Sequence, residues 1–268
     1  MVEPQRDVGI QLYLHHIPPS RCRCGLASLG WVHIVLIPGL WLDGSSWDEV
    51  APALQQAGHD TYALTLPGME SREADRSKIT LRDQVEAVVT VIDSFDSADS
   101  EVVLVGHSGG GAIAHAAVDA RPDRVARVVY VDSVPLGEGG VINDAFPAED
   151  GDVPLPDWSL FDEEDLIDLD DELRARFRER AIPAPVHVAR DPQRLSDQRR
   201  YNVPITVISC EFPSAMVLEL IEQGHDYVRE LSKVRDVDYI DLPTGHWPQF
   251  TRPRELGQAI LASLGPTD

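Results

Sequence analysis

The chain has 268 residues, 43% of them hydrophobic, which is enough for one sizeable core. It carries 45 acidic and 23 basic residues, and a net charge of −22 repels phosphate backbones and anionic lipid headgroups. Nucleic acid and membrane surfaces are therefore not expected as partners. Three cysteines are too few for a disulfide framework, and Cys22 and Cys24 lack the second pair that a zinc site would need.

The first 30 residues show no clear hydrophobic period and are predicted to form an extension or weak edge strands. They contain acidic residues and two adjacent prolines rather than a basic segment followed by an apolar one, so no targeting signal is recognised. The apolar run over 32–42 is too short to span a bilayer and is broken by Pro38 and Gly39. A cytoplasmic location is expected.

From residue 32 onward, short apolar runs alternate with amphipathic segments. Strands are predicted over 32–37, 61–66, 102–105, 125–131, 205–210 and 237–242. Helices are predicted between them, with N-caps at Ser45 or Ser46 and at Thr80, and a last helix is predicted over 253–264. Strands that alternate with helices predict an α/β fold, with a mostly parallel sheet covered by helices on both faces.

The alternation is interrupted over 134–203, which is rich in proline, glycine and aspartate and has one helical stretch from about 163 to 180. We interpret this segment as a cap inserted into a core formed by 31–133 and 204–268. The acidic run over 162–172 is interpreted as a solvated helix face rather than a metal site.

A nucleophile elbow is predicted at residues 106–110, which follow a strand directly and open a helix with the pattern G-x-S-x-G. Gly106 and Gly110 lack the β-carbons that would collide with the neighbouring helix and strand. The turn would lift the hydroxyl of Ser108 above the carboxyl ends of the strands, where ligands bind in open α/β sheets. Its position at a helix N-terminus favours developing negative charge.

His246 is the candidate general base, because it lies just beyond the last predicted strand and so reaches the same edge of the sheet. Of the nine histidines, only His107 competes by position. Neighbouring side chains on such a turn point apart, so His107 is interpreted as a packing residue.

Two carboxylates could orient the base. Asp132 ends the strand after the nucleophile strand, and Glu211 ends the next strand, the commoner place for the acid. Asp132 is favoured because its strand end is unambiguous, although it could also be a turn residue before Pro135. Glu211, followed by phenylalanine and proline, is expected to fall short of the usual loop position and stays as the alternative.

An oxyanion hole requires two backbone donors. The N–H after the nucleophile belongs to Gly109, and the second donor is expected from the loop after the first strand, with Leu40 the candidate. Trp41 is either a wall of the substrate pocket or an ordinary core aromatic residue.

Taken in order, these motifs resemble the α/β-hydrolase superfamily from residue 32 to 264. The segments over 37–47 and 57–62 look like the branch that contains small esterases, plant-type methylesterases and hydroxynitrile lyases. Two departures stand out. The family usually has His-Gly where this chain has Pro38-Gly39, and the lyases carry a lysine where this chain has Trp247, which argues against cyanohydrin cleavage. An acid at Asp132 is similar to the haloalkane dehalogenases, but their nucleophile is an aspartate.

The expected activity is hydrolysis of an ester-like bond (carboxylic ester, thioester or lactone) of a small organic substrate, through an acyl-enzyme on Ser108 and without a metal or organic cofactor. Two alternatives stay open because fold does not determine function. One is a lyase, a C–C hydrolase or a cofactor-free oxygenase that uses His246 as base. The other is a non-catalytic small-molecule-binding protein. The oligomeric state also stays open, a homodimer included.

Overall fold

A computed structural model describes residues 30–95 and 101–265. The predicted extension over 1–30 lies outside the described residues except for Gly30. Among the described residues, no helix is long and apolar enough to cross a membrane.

Six parallel strands form the main sheet: Val32–Ile37 (β1), Asp60–Ala63 (β2), Glu101–His107 (β3), Val125–Val131 (β4), Ile205–Ser209 (β7) and Val237–Asp241 (β8). Their order in the sheet is β2-β1-β3-β4-β7-β8. The predicted α/β fold with a parallel sheet is confirmed.

Eight α-helices accompany the strands in the described part of the chain. They are Ala51–Gln56 (α1), Leu81–Ser94 (α2), Gly109–Ala120 (α3), Asp171–Arg180 (α4), Val186–Arg190 (α5), Ser214–Glu222 (α6), Pro248–Thr251 (α7) and Pro253–Ser263 (α8). The capping prediction at Thr80 is confirmed, because its side chain accepts the N–H of Asp83 and the Asp83 carboxylate accepts the N–H of Thr80.

The predicted caps at Ser45 and Ser46 are wrong. The carboxylate of Asp43 accepts the Ser45 N–H and begins a short 3₁₀ turn, and α1 starts only at Ala51. The helix predicted from about 163 is also shorter. It begins at Asp171 behind Asp170, whose carboxylate accepts the N–H of Leu173 and caps the helix.

The central strands are apolar on both sides because helices cover both faces of the sheet. Alternate residues of β1 enter two separate cores: Val35 and Ile37 pack against α2 and α3, whereas Ile34 and Leu36 pack against α1 and α8. This two-sided burial is the physical reason that the strand reads as a continuous hydrophobic run.

The segment over 134–203 contains α4, α5 and a two-stranded antiparallel sheet formed by Asp152–Val153 (β5) and Ala184–Pro185 (β6). A third apolar cluster joins this segment to the loops at the carboxyl edge of the main sheet. Trp41 and Trp247 come from those loops, and Phe177 comes from α4. The segment, which we call the cap segment, therefore lies over the edge where β1 and β8 end.

Candidate active site

Ser108 lies between the end of β3 and the start of α3, with φ 51° and ψ −124°. The two outer glycines of the motif allow this turn to pack closely. A β-carbon on Gly106 would lie 2.6 Å from the carbonyl oxygen of Gly110, and one on Gly110 would lie 2.5 Å from that of Ile37. Both distances are too short for any other residue, so helix α3 can approach β1 and β3 only with glycine at these positions.

His246 follows β8 and its imidazole reaches the serine. The distance from Nε2 to the Oγ of Ser108 is 2.8 Å. The backbone of His246 is held from both sides: its N–H donates to the carbonyl of Asp165 (2.8 Å), and its carbonyl lies 2.6 Å from the Nε2 of His107. The base candidate is thus positioned by its main chain as well as by its side chain.

Asp132 is the first residue after β4, where it adopts a φ of 45°. Its Oδ2 lies 2.7 Å from the Nδ1 of His246. Its Oδ1 accepts the backbone N–H groups of Cys210 (2.9 Å) and Glu211 (3.2 Å). The loop after β7 therefore stabilises the ionised form of Asp132.

Glu211 does not fall short of the site, and that expectation was wrong. Its Oε1 lies 2.6 Å from the same Nδ1 of His246, off the direction of the N–H bond, and this buried atom has no hydrogen-bond partner in the described structure. The loop after β7 turns back toward the sheet edge. The sequence of Glu211 and the two residues after it does not predict this turn. The structure thus brings both candidate acids to one imidazole.

The two carboxyls differ in their electrostatics. Burial raises the pKa of Asp132, but its hydrogen bond to His246 and the hydrogen bonds from the β7 loop hold that pKa below its usual value. Burial raises the pKa of Glu211 to about 8, and the charge of Asp132 adds to this effect. Burial lowers the pKa of His246, but the two carboxyls outweigh it and raise that pKa above its usual value. Asp132 is therefore the ionised partner of the imidazole.

His107 is a site residue that the sequence reasoning missed. Its Nε2–H donates to the carbonyl of His246, and its Nδ1 accepts from the Nε2 of Gln249 at 3.0 Å. Burial and the neighbouring His246 lower the pKa of His107 to about 3, so the ring stays neutral and keeps these roles. The position of His107 next to Ser108 was the one sequence feature that could have indicated this role. A hydrogen bond to a main-chain carbonyl 139 residues away leaves no pattern in the sequence.

The two candidate oxyanion donors line the same cavity as Ser108. Gly109 is the first residue of α3, and an N–H at this position has no acceptor within its own helix. Leu40 lies in the loop after β1. Its neighbour Trp41 has a φ of 66° and donates from its indole to the carbonyl of Val153 at 3.0 Å, so Trp41 joins the loop to the cap segment and also lines the cavity.

The cavity above Ser108 has a volume of about 700 Å³, enough for a small organic molecule. Its lining has both apolar and polar side chains. The apolar ones include Leu40, Trp41, Ile142, Phe146 and Phe161, and the polar ones include Asp226, Tyr227, Arg229, Glu230 and Lys233.

Asp132, Glu211 and His246 also have the donor atoms of a metal site, because one ligand atom of each lies within 4.8 Å of the others. An ion on Nδ1 would have to displace the hydrogen bond between His246 and Asp132.

The chain is similar to known proteins over most of its length. A family model described as "Alpha/beta hydrolase family" matches residues 34–259. Methylesterase 7 of Arabidopsis thaliana is 26% identical over 253 residues, which cover 85% of this chain and 94% of that protein. The pyrethroid hydrolase of Sphingobium wenxiniae is 26% identical over 248 residues, which cover 85% of each chain.

Among solved structures, an extracellular α/β-hydrolase from a Paenibacillus species superimposes with a TM-score of 0.66 at 22% identity, over 87% of this chain and 98% of that one. Its description reports homology to tobacco salicylic acid binding protein 2. The names of these relatives confirm the predicted methylesterase-type branch and the prediction of an enzyme. With its parallel sheet and a family match that extends over most of its length, the chain belongs to the α/β hydrolase family.

Proposed function

We propose that the protein hydrolyses an ester-like bond of a small organic substrate through an acyl-enzyme on Ser108. The observation that carries the proposal is the continuous chain from Ser108 through His246 to Asp132, with contacts of 2.8 and 2.7 Å. A serine hydroxyl becomes a nucleophile when an adjacent base accepts its proton and a third group orients that base.

In the proposed reaction, Nε2 of His246 accepts the proton of Ser108 as Oγ attacks the carbonyl carbon. The carbonyl oxygen becomes an oxyanion beside the N–H groups of Leu40 and Gly109. His246 then gives its proton to the leaving oxygen or sulfur, the carbon–heteroatom bond breaks, and the acyl group stays on Ser108. A water molecule loses a proton to His246, attacks the acyl carbon and releases the acid, and Ser108 recovers its proton.

The cavity supports a substrate with one apolar group and one polar group. The aromatic side chains of Trp41, Phe146 and Phe161 would pack against the apolar part, since aromatic walls contribute large contact areas. The relatives named a methylesterase and a pyrethroid hydrolase support an ester rather than another acyl compound. We propose a carboxylic ester as the first substrate class to test. The cytoplasmic location expected from the sequence stays a prediction.

The test is covalent labelling with a fluorophosphonate, read out as intact mass. We expect wild type to gain one adduct, Ser108→Ala to gain none, and His246→Ala to react about 10²–10⁴ times more slowly, because general-base catalysis has that magnitude. Ser133→Ala is the matched control, since Ser133 also lines the cavity but lies outside the contacts to His246. A folded wild type that takes no label would contradict the proposal and would favour a lyase, an oxygenase or a binding protein.

A further inference from the structure

We infer that Glu211 is a second positioning carboxyl of the site, which carries a proton that Asp132 does not and supports His246 when the Asp132 carboxylate is absent. The inference rests on the proposed function, because it describes how the base of that reaction is held. A single acid is sufficient to orient a triad histidine. A second carboxyl at the same nitrogen is therefore not required for that orientation.

Two carboxyls converge on one nitrogen of His246. Asp132 and Glu211 lie 2.7 and 2.6 Å from Nδ1 of His246, although they follow different strands. The side chains of Asp132 and Glu211 are 9% and 12% exposed, so water screens the repulsion between their charges only weakly. Two carboxylates this close beside one imidazole cannot both ionise easily, and one of them retains a proton.

Hydrogen bonds and burial determine which carboxyl retains the proton. Asp132 accepts hydrogen bonds from two backbone N–H groups and from His246, all of which favour its charged form. Among the described residues, no backbone N–H donates to Glu211, and its Oε1 is buried there without a hydrogen-bond partner. Burial and the charge of Asp132 raise the pKa of Glu211 to about 8, and the two carboxyls are close enough to share a hydrogen bond.

Other titratable groups face this pair from the surrounding elements. The phenol of Tyr227 and the thiol of Cys210 have pKa values that the two carboxylates raise, after the larger effect of burial. Burial and the nearby carboxylates therefore favour the neutral forms of both groups. The ring of His107, whose pKa is lowered to about 3, is also neutral, and Asp241 is engaged by Ser214. The proton exchange therefore concerns three groups: Asp132, Glu211 and His246.

The consequence for the reaction follows from coupled titration. As the pH rises, the first proton to leave the cluster comes from either His246 or Glu211, and only the form with neutral His246 can act as a base. Some of the singly deprotonated protein keeps the proton on His246 and loses it from Glu211. The activity of wild type should therefore rise in a broad limb that spans two ionisations.

The first experiment measures the rate of fluorophosphonate labelling from pH 5 to pH 10. Glu211→Gln removes the second ionisation without changing the size of the side chain. We expect its rate to rise in one step, displaced to lower pH by about one unit or more, because a carboxylate within 4–6 Å shifts a neighbouring pKa by about one to three units. Glu222→Gln, which removes an exposed charge on α6, is the control and should follow the wild-type curve. Superimposable curves for wild type and Glu211→Gln would overturn the inference.

The second experiment is a double-mutant cycle. Loss of the only triad aspartate costs about 10⁴ in rate, because the histidine takes the wrong tautomer. Since Glu211 can accept the Nδ1–H in its place, we expect Asp132→Asn to lose only about 10–10² and the double variant Asp132→Asn/Glu211→Gln to lose about 10⁴. Equal losses in the single and double variants would show that Glu211 gives no support.

A measurement that does not depend on activity separates this inference from the proposed function. The downfield ¹H NMR signal of the Nδ1–H of His246 can be titrated in wild type and in Glu211→Gln. A two-step titration in wild type and a single step in the variant support the inference, and identical titrations overturn it. If wild type takes no fluorophosphonate, the proposed function fails, and the NMR titration still decides the role of Glu211.

Discussion

Three residues of the candidate site have positive φ angles without being glycine: Trp41, Ser108 and Asp132. Such a conformation costs about 1–3 kcal/mol and persists where the surrounding structure determines it. Ser108 and Asp132 follow directly after β3 and β4. The sharp turn at each strand end aims the side chain along the edge of the sheet toward His246. The strain is therefore concentrated where the reacting groups must meet.

His107 tests whether a neutral, buried ring positions the base. We expect His107→Phe to lower kcat/KM for a p-nitrophenyl ester by about 10–10², because the carbonyl of His246 loses its donor and a shift of about 1 Å at a catalytic group can cost that much. His107→Gln keeps an N–H donor and should retain most of the activity. A His107→Phe variant as active as wild type would exclude this role.

At the scale of elements, hydrogen bonds join the loop after β8 to the cap segment. The N–H of Gly245 donates to the carbonyl of Ile167 (3.1 Å), next to the bond from His246 to Asp165. One residue further, the carboxylate of Asp168 accepts from the hydroxyl of Thr244 and from the guanidinium of Arg252. The cap thus contributes to the position of the histidine as well as to the wall of the cavity.

Gly245 offers a test of this connection, since a β-carbon there would lie 2.3 Å from the carbonyl oxygen of Asp165 and 2.6 Å from that of Ile167. Both contacts are with backbone, so the cap or the histidine loop must move. We expect Gly245→Ala to lower kcat/KM by about 10² or more. Gly30→Ala, where no atom of the described residues lies within 4 Å of the added carbon, is the control. Unchanged kinetics and an unchanged Tm in Gly245→Ala would refute the connection.

At the scale of the whole molecule, the net charge of −22 is the dominant electrostatic property. Like charges repel more strongly in the compact state than in the unfolded chain, and salt screens that repulsion. Asp162, Glu163 and Glu164 are exposed, as predicted for solvated side chains, but the prediction that they lie on a helix face was wrong, because they precede α4 and lie in a loop with turns. The stability of the protein should therefore depend on ionic strength.

We expect Tm at pH 7.5 to rise by about 3 °C between 20 and 300 mM NaCl, a change that corresponds to roughly 1 kcal/mol in a protein of this size. The variant Asp162→Asn/Glu163→Gln/Glu164→Gln removes three exposed charges and should show a smaller increase. Calorimetry at each salt concentration gives both values. A Tm that does not change with salt would mean that ion pairs already compensate the repulsion.

The amino-acid sequence by itself determined the order of strands and helices, the parallel sheet and the candidates Ser108 and His246. These features depend on local patterns: buried strands are continuously apolar, and close approach at an elbow requires glycine. The bounds of β1 and β4 were predicted to the residue for the same reason. The caps of short polar segments were harder to predict from the sequence. Several side chains near residue 45 can cap a turn, and only packing selects Asp43.

Only the tertiary structure decided which groups surround His246. Asp132, Glu211 and His107 are far from His246 in the sequence, yet all three contact that one residue. Their positions depend on how the loops after β3, β4, β7 and β8 curve over a common sheet edge. Loop curvature comes from long-range hydrogen bonds and burial, which have no period in the chain and exist only once the sheet has brought the strand ends together.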